Sequence, residues 1–293
     1  MNNFERAEEL NEQGIAHREA GNDDLALQAY EEALRLNPDA AKTLYNIGLI
    51  YKYRNDWVKS FDYNQRAYAL RPDDEASRWN LAIAATALRD WATVRQAWAD
   101  NGIKLEGTEG PIDMDFGPTP VRLNPDGDGE VVWATRIDPV RAVLRNIPYP
   151  DSGFRCGDIV LHDGASVGKR ESGGREYSVF NVLELFEASK LSTFCMEVQE
   201  ATEQQMATLE AAFEAAGMPF EDWTSNVRTL CKACSEGVPH EHAEGEEEEP
   251  AWNPTRLVGV AAISYDEIAA ILDKVPGMEQ MEIEISIELE PPA

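Results

Sequence analysis

The residues best suited to chemistry are two cysteines and two histidines that share one short segment. Cys231 and Cys234 are separated by two residues, and His240 and His242 follow within the next eight. Two thiolates and two imidazoles are the ligand types that tetrahedral zinc prefers in proteins. Four candidate ligands in one segment would leave no coordination position open to a substrate. We therefore expect a structural zinc site in a loop of residues 231–255.

Two other interpretations of this segment stay open. The first is a polar loop with two incidental cysteines. The second is a redox dithiol, although no clear helix start follows the cysteines to lower a thiol pKa. Within the zinc interpretation itself, the tight spacing leaves open whether both histidines bind the metal. The acidic run at 244–249 is typical of a solvated loop tip, with a weak cation site as its alternative.

Other candidate residues point more weakly to chemistry. His162 stands beside Asp163 and has the type of a general base, but no known motif places a nucleophile next to it. Cys156 and Cys195 lie in apolar runs and are expected to be buried. Residues 124–129 resemble the start of a calcium loop, yet the twelfth position is threonine instead of glutamate, so a hairpin turn is expected.

The elements that would position a site begin with a 34-residue repeat over residues 7–106. A small residue recurs where two helices must approach closely, and apolar, small and proline positions recur around it. The aligned pairs are Gly14 and Gly48, Leu10 and Leu44, His17 and Tyr51, Ala33 and Ala67, and Pro38 and Pro72. A third copy keeps Ala82 and Trp98 but has no closing proline, which is typical of a terminal repeat.

These residues resemble the tetratricopeptide repeat (TPR), over roughly the first third of the chain. The resemblance implies three pairs of antiparallel helices in a solenoid, with a concave groove lined by the first helix of each pair. It places eight residues of this chain in that groove: Ile15, Tyr45, Asn46, Leu49, Tyr53, Trp79, Asn80 and Ile83. His17 falls at a packing position of the repeat.

The groove residues also suggest what is bound. Repeats that hold the acidic tails of heat-shock chaperones use lysine, asparagine and arginine, and here only Asn46 matches. Asn11, Ala76 and Asn80 stand where basic residues belong. The aromatic and aliphatic groove instead predicts an apolar peptide or helix, with Asn46 and Asn80 bonding its backbone. Alternatively, these side chains pack on the chain's own linker or second domain.

The second part of the chain reads as α+β. Residues 107–120 carry no period and predict a linker. Short apolar runs at 121–123, 131–136, 158–161 and 177–186, separated by glycine-rich turns, predict an antiparallel meander or small barrel.

The last hundred residues repeat the order strand, helix, strand. Strands are predicted at 193–198, 224–230, 257–263 and 281–290, with helices starting at capping boxes on Thr202 and Ser264. In the final strand, apolar residues alternate with glutamates, which predicts one buried and one acidic face. This order is that of a ferredoxin-like sandwich.

The net charge and the composition limit which classes of partner and which cellular compartment are expected. Of the 293 residues, 54 are acidic and 26 basic, a formal net charge of −28. Residues 1–106 contribute −5 and residues 107–293 contribute −23. Such an excess repels phosphate backbones and anionic lipid, so neither nucleic acid nor membrane is an expected partner. The N-terminus has no signal-peptide pattern and four cysteines make no disulfide framework, which together predict a cytoplasmic protein.

The sequence thus predicts a TPR domain of three repeats at 1–106, a linker at 107–120, a small antiparallel β region at 121–190 and a ferredoxin-like unit at 191–293. The expected function is a non-enzymatic cytosolic adaptor, whose TPR groove binds a protein or peptide. Its acidic, zinc-stapled C-terminal domain is expected to offer a second surface, for example to neutralise a basic protein. The alternative is an enzyme with a metal- or histidine-dependent site in the C-terminal domain.

Overall fold

The protein is described by a computed structural model that covers residues 2–127, 129–224, 252–277 and 281–292. The chain divides into two compact units, Met1–Met114 and Asp115–Ala293. Each unit has its own core and is described by itself.

The first unit consists of six helices in three hairpins, as the repeat predicts. In chain order they are α1 Asn3–Glu19, α2 Asp23–Leu36, α3 Ala41–Tyr53, α4 Trp57–Leu70, α5 Glu75–Ala87 and α6 Trp91–Asp100. In the part of the chain that the structure describes, no helix is both long and apolar enough to cross a membrane.

The turn inside each hairpin repeats a left-handed backbone position. Gly21, Asn55 and Arg89 have φ values of 75°, 54° and 59° and are spaced 34 residues apart. Asparagine tolerates this region and glycine is unrestricted there, whereas arginine adopts it only at a cost. The backbone conformation of the repeat is therefore kept even where the residue type changes. An alignment of residue types alone does not show this recurring turn position.

Close helix contacts explain the small residues of the repeat. Gly14 lies against the fully buried ring of Tyr30, and a Cβ at position 14 would overlap that ring. Gly48 lies in the same way against the buried side chain of Asn64. Each glycine thus lets the second helix of its hairpin pack directly on the first.

The start of the expected linker belongs to the first unit. The Arg95 guanidinium of α6 donates to the carbonyl oxygens of Glu106, Gly107, Gly110 and Pro111 at 2.8–3.2 Å. These bonds fold the segment back near α6. The third repeat is closed by this arginine-bound segment where the earlier repeats have a proline.

The second unit begins with a closed five-stranded barrel, in which successive strands are neighbours and β1 meets β5 in parallel. The strands are β1 Pro118–Leu123, β2 Glu130–Arg136, β3 Arg141–Leu144, β4 Ile159–Ser172 and β5 Arg175–Glu187. The predicted small barrel is present and its strands pair antiparallel except where β1 meets β5. Two further points differ from the prediction.

The first correction is β3, which the sequence analysis missed because the strand is only four residues long. The second is the β4–β5 hairpin. The sequence analysis expected strands at 158–161 and 177–186 with a glycine-rich turn between them, but β4 continues to Ser172 and only Gly173 and Gly174 form the turn, with φ values of 58° and 71°. Two successive glycines with positive φ are typical of a tight hairpin turn. The strand segments next to this turn are largely exposed and polar, so they lack the alternation of apolar residues that would have predicted them.

A four-stranded sheet follows, in the order β7-β8-β6-β9, with every neighbouring pair antiparallel. Its elements are β6 Ser192–Val198, α7 Glu203–Ala215, β7 Phe220–Asp222, β8 Arg256–Ala262, α8 Tyr265–Leu272 and β9 Ile283–Leu289. Two β-α-β segments interleaved in this order make the ferredoxin-like arrangement that the sequence predicts.

Several boundaries of this unit differ from expectation. β7 starts at Phe220 instead of Thr224, and residues 225–230 of the predicted strand lie outside the described residues. The Ser264 side chain makes no capping bond, although Glu267 accepts from the Ile263 amide at 3.0 Å. In β9 the apolar face is only partly buried, with Ile287 47% exposed, because β9 is an edge strand.

The barrel and the sheet share contacts inside the second unit. Glu221 accepts from the Asn146 side chain at 2.7 Å and from the Ile147 amide at 2.8 Å. The Trp223 indole donates to the Ile147 carbonyl at 3.1 Å and covers Gly259, where a Cβ would overlap the ring. These bonds make the barrel and the sandwich one packed body.

Candidate functional site

The eight predicted groove residues lie on the first helices of the three hairpins, α1, α3 and α5. Their exposure differs widely. Asn46, Leu49, Asn80 and Ile83 are buried; Ile15, Tyr45 and Trp79 are half-buried; Tyr53 is 51% exposed. The four buried residues lie beneath the surface formed by the first helices. Tyr45 and Tyr53 are large side chains that are accessible on that surface.

Hydrogen bonds join the first two hairpins across this face. The Asn11 side-chain oxygen Oδ1 accepts from the Thr43 hydroxyl at 3.0 Å and from the Asn46 side-chain amide at 3.1 Å. All three side chains are buried. Asn46, expected to bond a partner's backbone, therefore already uses one of its polar groups inside the unit.

A lysine joins the second and third hairpins in the same way. Lys52 is 2% exposed, and its ammonium donates to the Asn80 side-chain oxygen Oδ1 at 3.2 Å. The same ammonium lies 4.4 Å from the ring centre of Tyr53. The groove thus contains a buried cation next to its most exposed aromatic ring.

Lys52 bonds to the predicted groove residue Asn80 and was not itself singled out by the sequence analysis. It aligns with Arg18 and Thr86 in the neighbouring repeats, so the 34-residue offset marks its place on the first helix. The residue at that position differs in each of the three copies and is not apolar in any of them. A search for recurring apolar positions therefore does not detect it. Extending the alignment from the apolar positions to every position of the first helix would have found it.

Trp79 has a different surrounding from that expected. Its ring packs edge-on against the fully buried Trp98 of α6, with ring centres 4.6 Å apart at an angle of 71°. Part of Trp79 is therefore committed to the hairpin formed by α5 and α6. The pair of rings best placed for a partner is Tyr45 and Tyr53, both on α3.

The predicted zinc ligands Cys231, Cys234, His240 and His242 lie outside the described residues, and the zinc site stays a prediction. Among the residues that are described, no group of three or more His, Cys, Asp or Glu side chains is arranged to hold a metal ion. Cys156 and Cys195 are free thiols, and burial raises the pKa of Cys156 to about 11. A thiol with so high a pKa is a weak nucleophile at neutral pH.

His162 is fully buried in β4, and its surroundings are those of a packed side chain. Its Nδ1 lies 2.8 Å from the backbone oxygen of Asp163, and its ring lies beside Phe180. The Asp163 carboxylate accepts from the Gly164 amide at 2.7 Å. Burial lowers the pKa of His162 to about 4, so the imidazole is neutral at physiological pH.

The segment that resembles a calcium loop connects two strands. Leu123 at the end of β1 pairs with Glu130 at the start of β2, and Asn124 between them has a left-handed φ of 48°. The Gly127 amide donates to the Asn124 carbonyl at 3.0 Å. The predicted hairpin turn is confirmed.

Comparison with known proteins gives the first unit a family. Residues 14–53 match the family model described as TPR repeat. Tetratricopeptide repeat protein 6 of Homo sapiens is 31% identical over 83 residues, which cover 28% of this chain and 16% of that protein. Photosystem I assembly protein Ycf3 of Prochlorococcus marinus (strain MIT 9215) is 35% identical over 83 residues, which cover 28% of this chain and 47% of that protein.

The chain spans less than half the length of these curated relatives. The likeness therefore concerns the repeats. Together with the three helical hairpins and their 34-residue offset, it identifies the N-terminal unit as a tetratricopeptide-repeat domain.

Proposed function

We propose that the protein is a non-enzymatic cytosolic adaptor, whose TPR groove binds an apolar peptide or helix of a partner protein. The relative Ycf3 is by its name an assembly protein, and TPR domains bind protein partners. The proposal for this chain rests on its own groove. The observation that carries it is an exposed aromatic ring on a face whose helices are fixed to one another.

The fixed face matters because ordering side chains on binding costs free energy. Here Asn11, Asn46, Lys52 and Asn80 already connect the first helices by hydrogen bonds before any partner arrives. A partner then meets a preorganised surface and loses less of its binding free energy to ordering. Tyr53 projects from that surface, and rigid aromatic side chains often dominate binding.

The expected partner segment follows from the groove. Tyr45, Leu49 and Ile15 favour apolar side chains at helical spacing, as in other helix-in-groove complexes. We therefore expect an amphipathic helix whose apolar face lies on these three side chains.

Two tyrosines provide the test. Partners captured from native lysate by the full-length protein are purified and titrated against wild type and the Tyr45→Ala, Tyr53→Ala double variant. We expect binding to weaken by at least about 2 kcal/mol, roughly thirtyfold, because two anchor rings are removed. Val58→Ala on α4 is the control, since Val58 is 68% exposed but lies on a second helix.

Two results would contradict the proposal. One is equal affinity of the double variant and wild type. The other is binding that is unchanged by the two tyrosine substitutions but is lost at high salt. That result would place the binding site on the acidic second unit. Trp79→Ala is excluded from this test because its contact with Trp98 makes a loss of stability the expected result.

The second unit contributes a second surface in this proposal. Its sequence carries most of the net charge, which favours a basic protein as a further partner. We propose that Cys231, Cys234, His240 and His242 bind zinc within the segment that joins β7 to β8. The chemistry of these four side chains and their spacing support the metal.

A further inference from the structure

A cleft in the wall of the barrel lies where β1 meets β5. β1 pairs with β5 only at Val121 with Phe180 and Arg122 with Asn181. Before these pairs the two strands are joined by a bond from the Thr119 hydroxyl to the Ser178 carbonyl at 3.4 Å, and residues of both strands line a cavity of about 460 Å³. We call it the seam cleft; its lining includes Phe116, Thr119, Arg136, Arg175, Tyr177 and Phe180. Pockets of this size are typical of small-molecule sites.

Arg136 is the unusual member of this lining. Its side chain is half-buried, its Nε is buried without a hydrogen-bond partner, and burial lowers the pKa of its guanidinium. Within the described ranges no carboxylate forms an ion pair with it. This is unexpected in a chain with 54 acidic and 26 basic residues, because burying a charge without compensation is unfavourable.

The position of Arg136 is fixed by its backbone. Its amide donates to the Gly117 carbonyl and its own carbonyl accepts from the Phe116 amide, both at 3.0 Å. Its guanidinium carbon lies 5.9 Å from the ring centre of Phe180. The charge is thus held in place at the cleft by β2 and by the segment that leads into β1.

The remaining side chains describe a ligand with an apolar body. Phe116, Tyr177 and Phe180 line the cleft with aromatic rings, and Arg175 stacks on Tyr177 at 5.8 Å. Glu176 also borders it, but its carboxylate lies 2.7 Å from the Lys169 ammonium. The held guanidinium of Arg136 lies among aromatic rings, and the exposed guanidinium of Arg175 borders the cleft; this arrangement matches a planar carboxylate.

We propose that the seam cleft binds a small organic carboxylate with an aromatic body, its carboxylate against Arg136 and its ring among Phe116, Tyr177 and Phe180. A phosphate monoester is less suitable because it carries up to two negative charges, and residues 107–293 have a formal net charge of −23. The site is independent of the TPR groove.

The test compares three probes of similar shape on the full chain. Titration calorimetry uses 3-phenylpropionate, the neutral 3-phenylpropanamide and 2-phenylethyl phosphate. We expect the carboxylate to bind and to shift the NMR signal of the Arg136 Nε–H group, with the amide at least about tenfold weaker because it lacks the charge. Absence of carboxylate binding, or tighter binding of the phosphate or amide, would overturn the proposal.

Two arginine variants separate binding from stability. Arg136→Gln should weaken 3-phenylpropionate binding at least about tenfold without lowering the melting temperature, since Arg136 has no ion pair among the described residues to lose. Arg170→Gln is the matched control: Arg170 is also half-buried on an aromatic ring, Trp133, but donates to the Val131 carbonyl at 3.0 Å. Equal binding by wild type and Arg136→Gln would refute the site, as would an equal loss in Arg170→Gln.

Discussion

His162 shows how a residue suited to catalysis by its type becomes a structural one. It is fully buried, and its ring is held between the Asp163 backbone oxygen and Phe180. Burial lowers its pKa, and the nearby Arg136 charge acts in the same direction. An imidazole that resists protonation in the fold makes barrel stability depend on pH.

The sign of that dependence follows from the two pKa values. His162 has a pKa of about 4 in the folded protein and about 6.5 when unfolded, so between these values only the unfolded chain binds the proton. Stability is therefore unaffected by this group above pH 6.5. As the pH falls from 6.5 towards 4, protonation of His162 in the unfolded chain lowers the free energy of unfolding. We expect wild type to lose up to about 3 kcal/mol more than His162→Phe over this range.

The measurement is urea unfolding of the barrel at pH 7, 6, 5 and 4.5, read by hydrogen exchange of β4 and β5 amides in a labelling pulse at one fixed pH. The helices of the first unit serve as the internal reference. Parallel pH profiles for wild type and His162→Phe would show that the imidazole titrates normally and is not shielded from water.

At the scale of elements, the third hairpin is completed by a side chain. Arg95 reaches four carbonyl oxygens with one planar guanidinium, and Ile112, just beyond the bound segment, is 1% exposed. A solenoid needs such an end because its last helix pair has no following repeat to cover it.

Replacing Arg95 should therefore loosen this end. We expect Arg95→Gln to destabilise the helical unit by about 1–2 kcal/mol and to accelerate hydrogen exchange at residues 103–112. Arg95→Lys should recover little, because an ammonium cannot reproduce the fork of a guanidinium. Arg66→Gln is the control, as Arg66 makes an exposed ion pair with Asp62 at 3.6 Å. Unchanged exchange in Arg95→Gln would mean that apolar contacts alone hold the segment.

The elements differ in how far the sequence predicts them. The helices follow from a pattern written three times, and the sandwich from two strand-helix-strand segments with clear apolar faces. β3 is not predicted because four residues are too few to show a strand pattern. The outer parts of the β4–β5 hairpin are not predicted because exposed strands need no alternation of apolar residues. On the face formed by the first helices, the sequence singled out Asn80 but neither Lys52 nor the hydrogen bond between them, since the two residues are 28 positions apart.

At the scale of the whole molecule, the proposed zinc site affects only one unit. Purified protein should carry about one equivalent of zinc, and Cys231→Ser with Cys234→Ser should release it because two of the four ligands are lost. Elemental analysis of protein prepared without chelators measures this. Cys156→Ala with Cys195→Ala is the control, since these thiols are free in the structure.

Losing zinc should increase hydrogen exchange in residues 231–255 and leave the helices of the first unit unchanged, because the two units have separate cores. Wild-type protein without metal would refute the site. Zinc that remains in the Cys231, Cys234 variant would assign it to other ligands.

The central claim is that the TPR groove receives a protein partner, and site-specific crosslinking tests it most directly. A photoreactive p-benzoylphenylalanine replaces Tyr53 on α3 in one variant and Val58 on α4 in another; both side chains are more than half exposed. The account predicts that the partner crosslinks at position 53 and not at position 58, with all crosslinked peptides from one apolar segment of the partner. Crosslinking at position 58 alone, or from position 53 only to residues of the protein's own second unit, would contradict it.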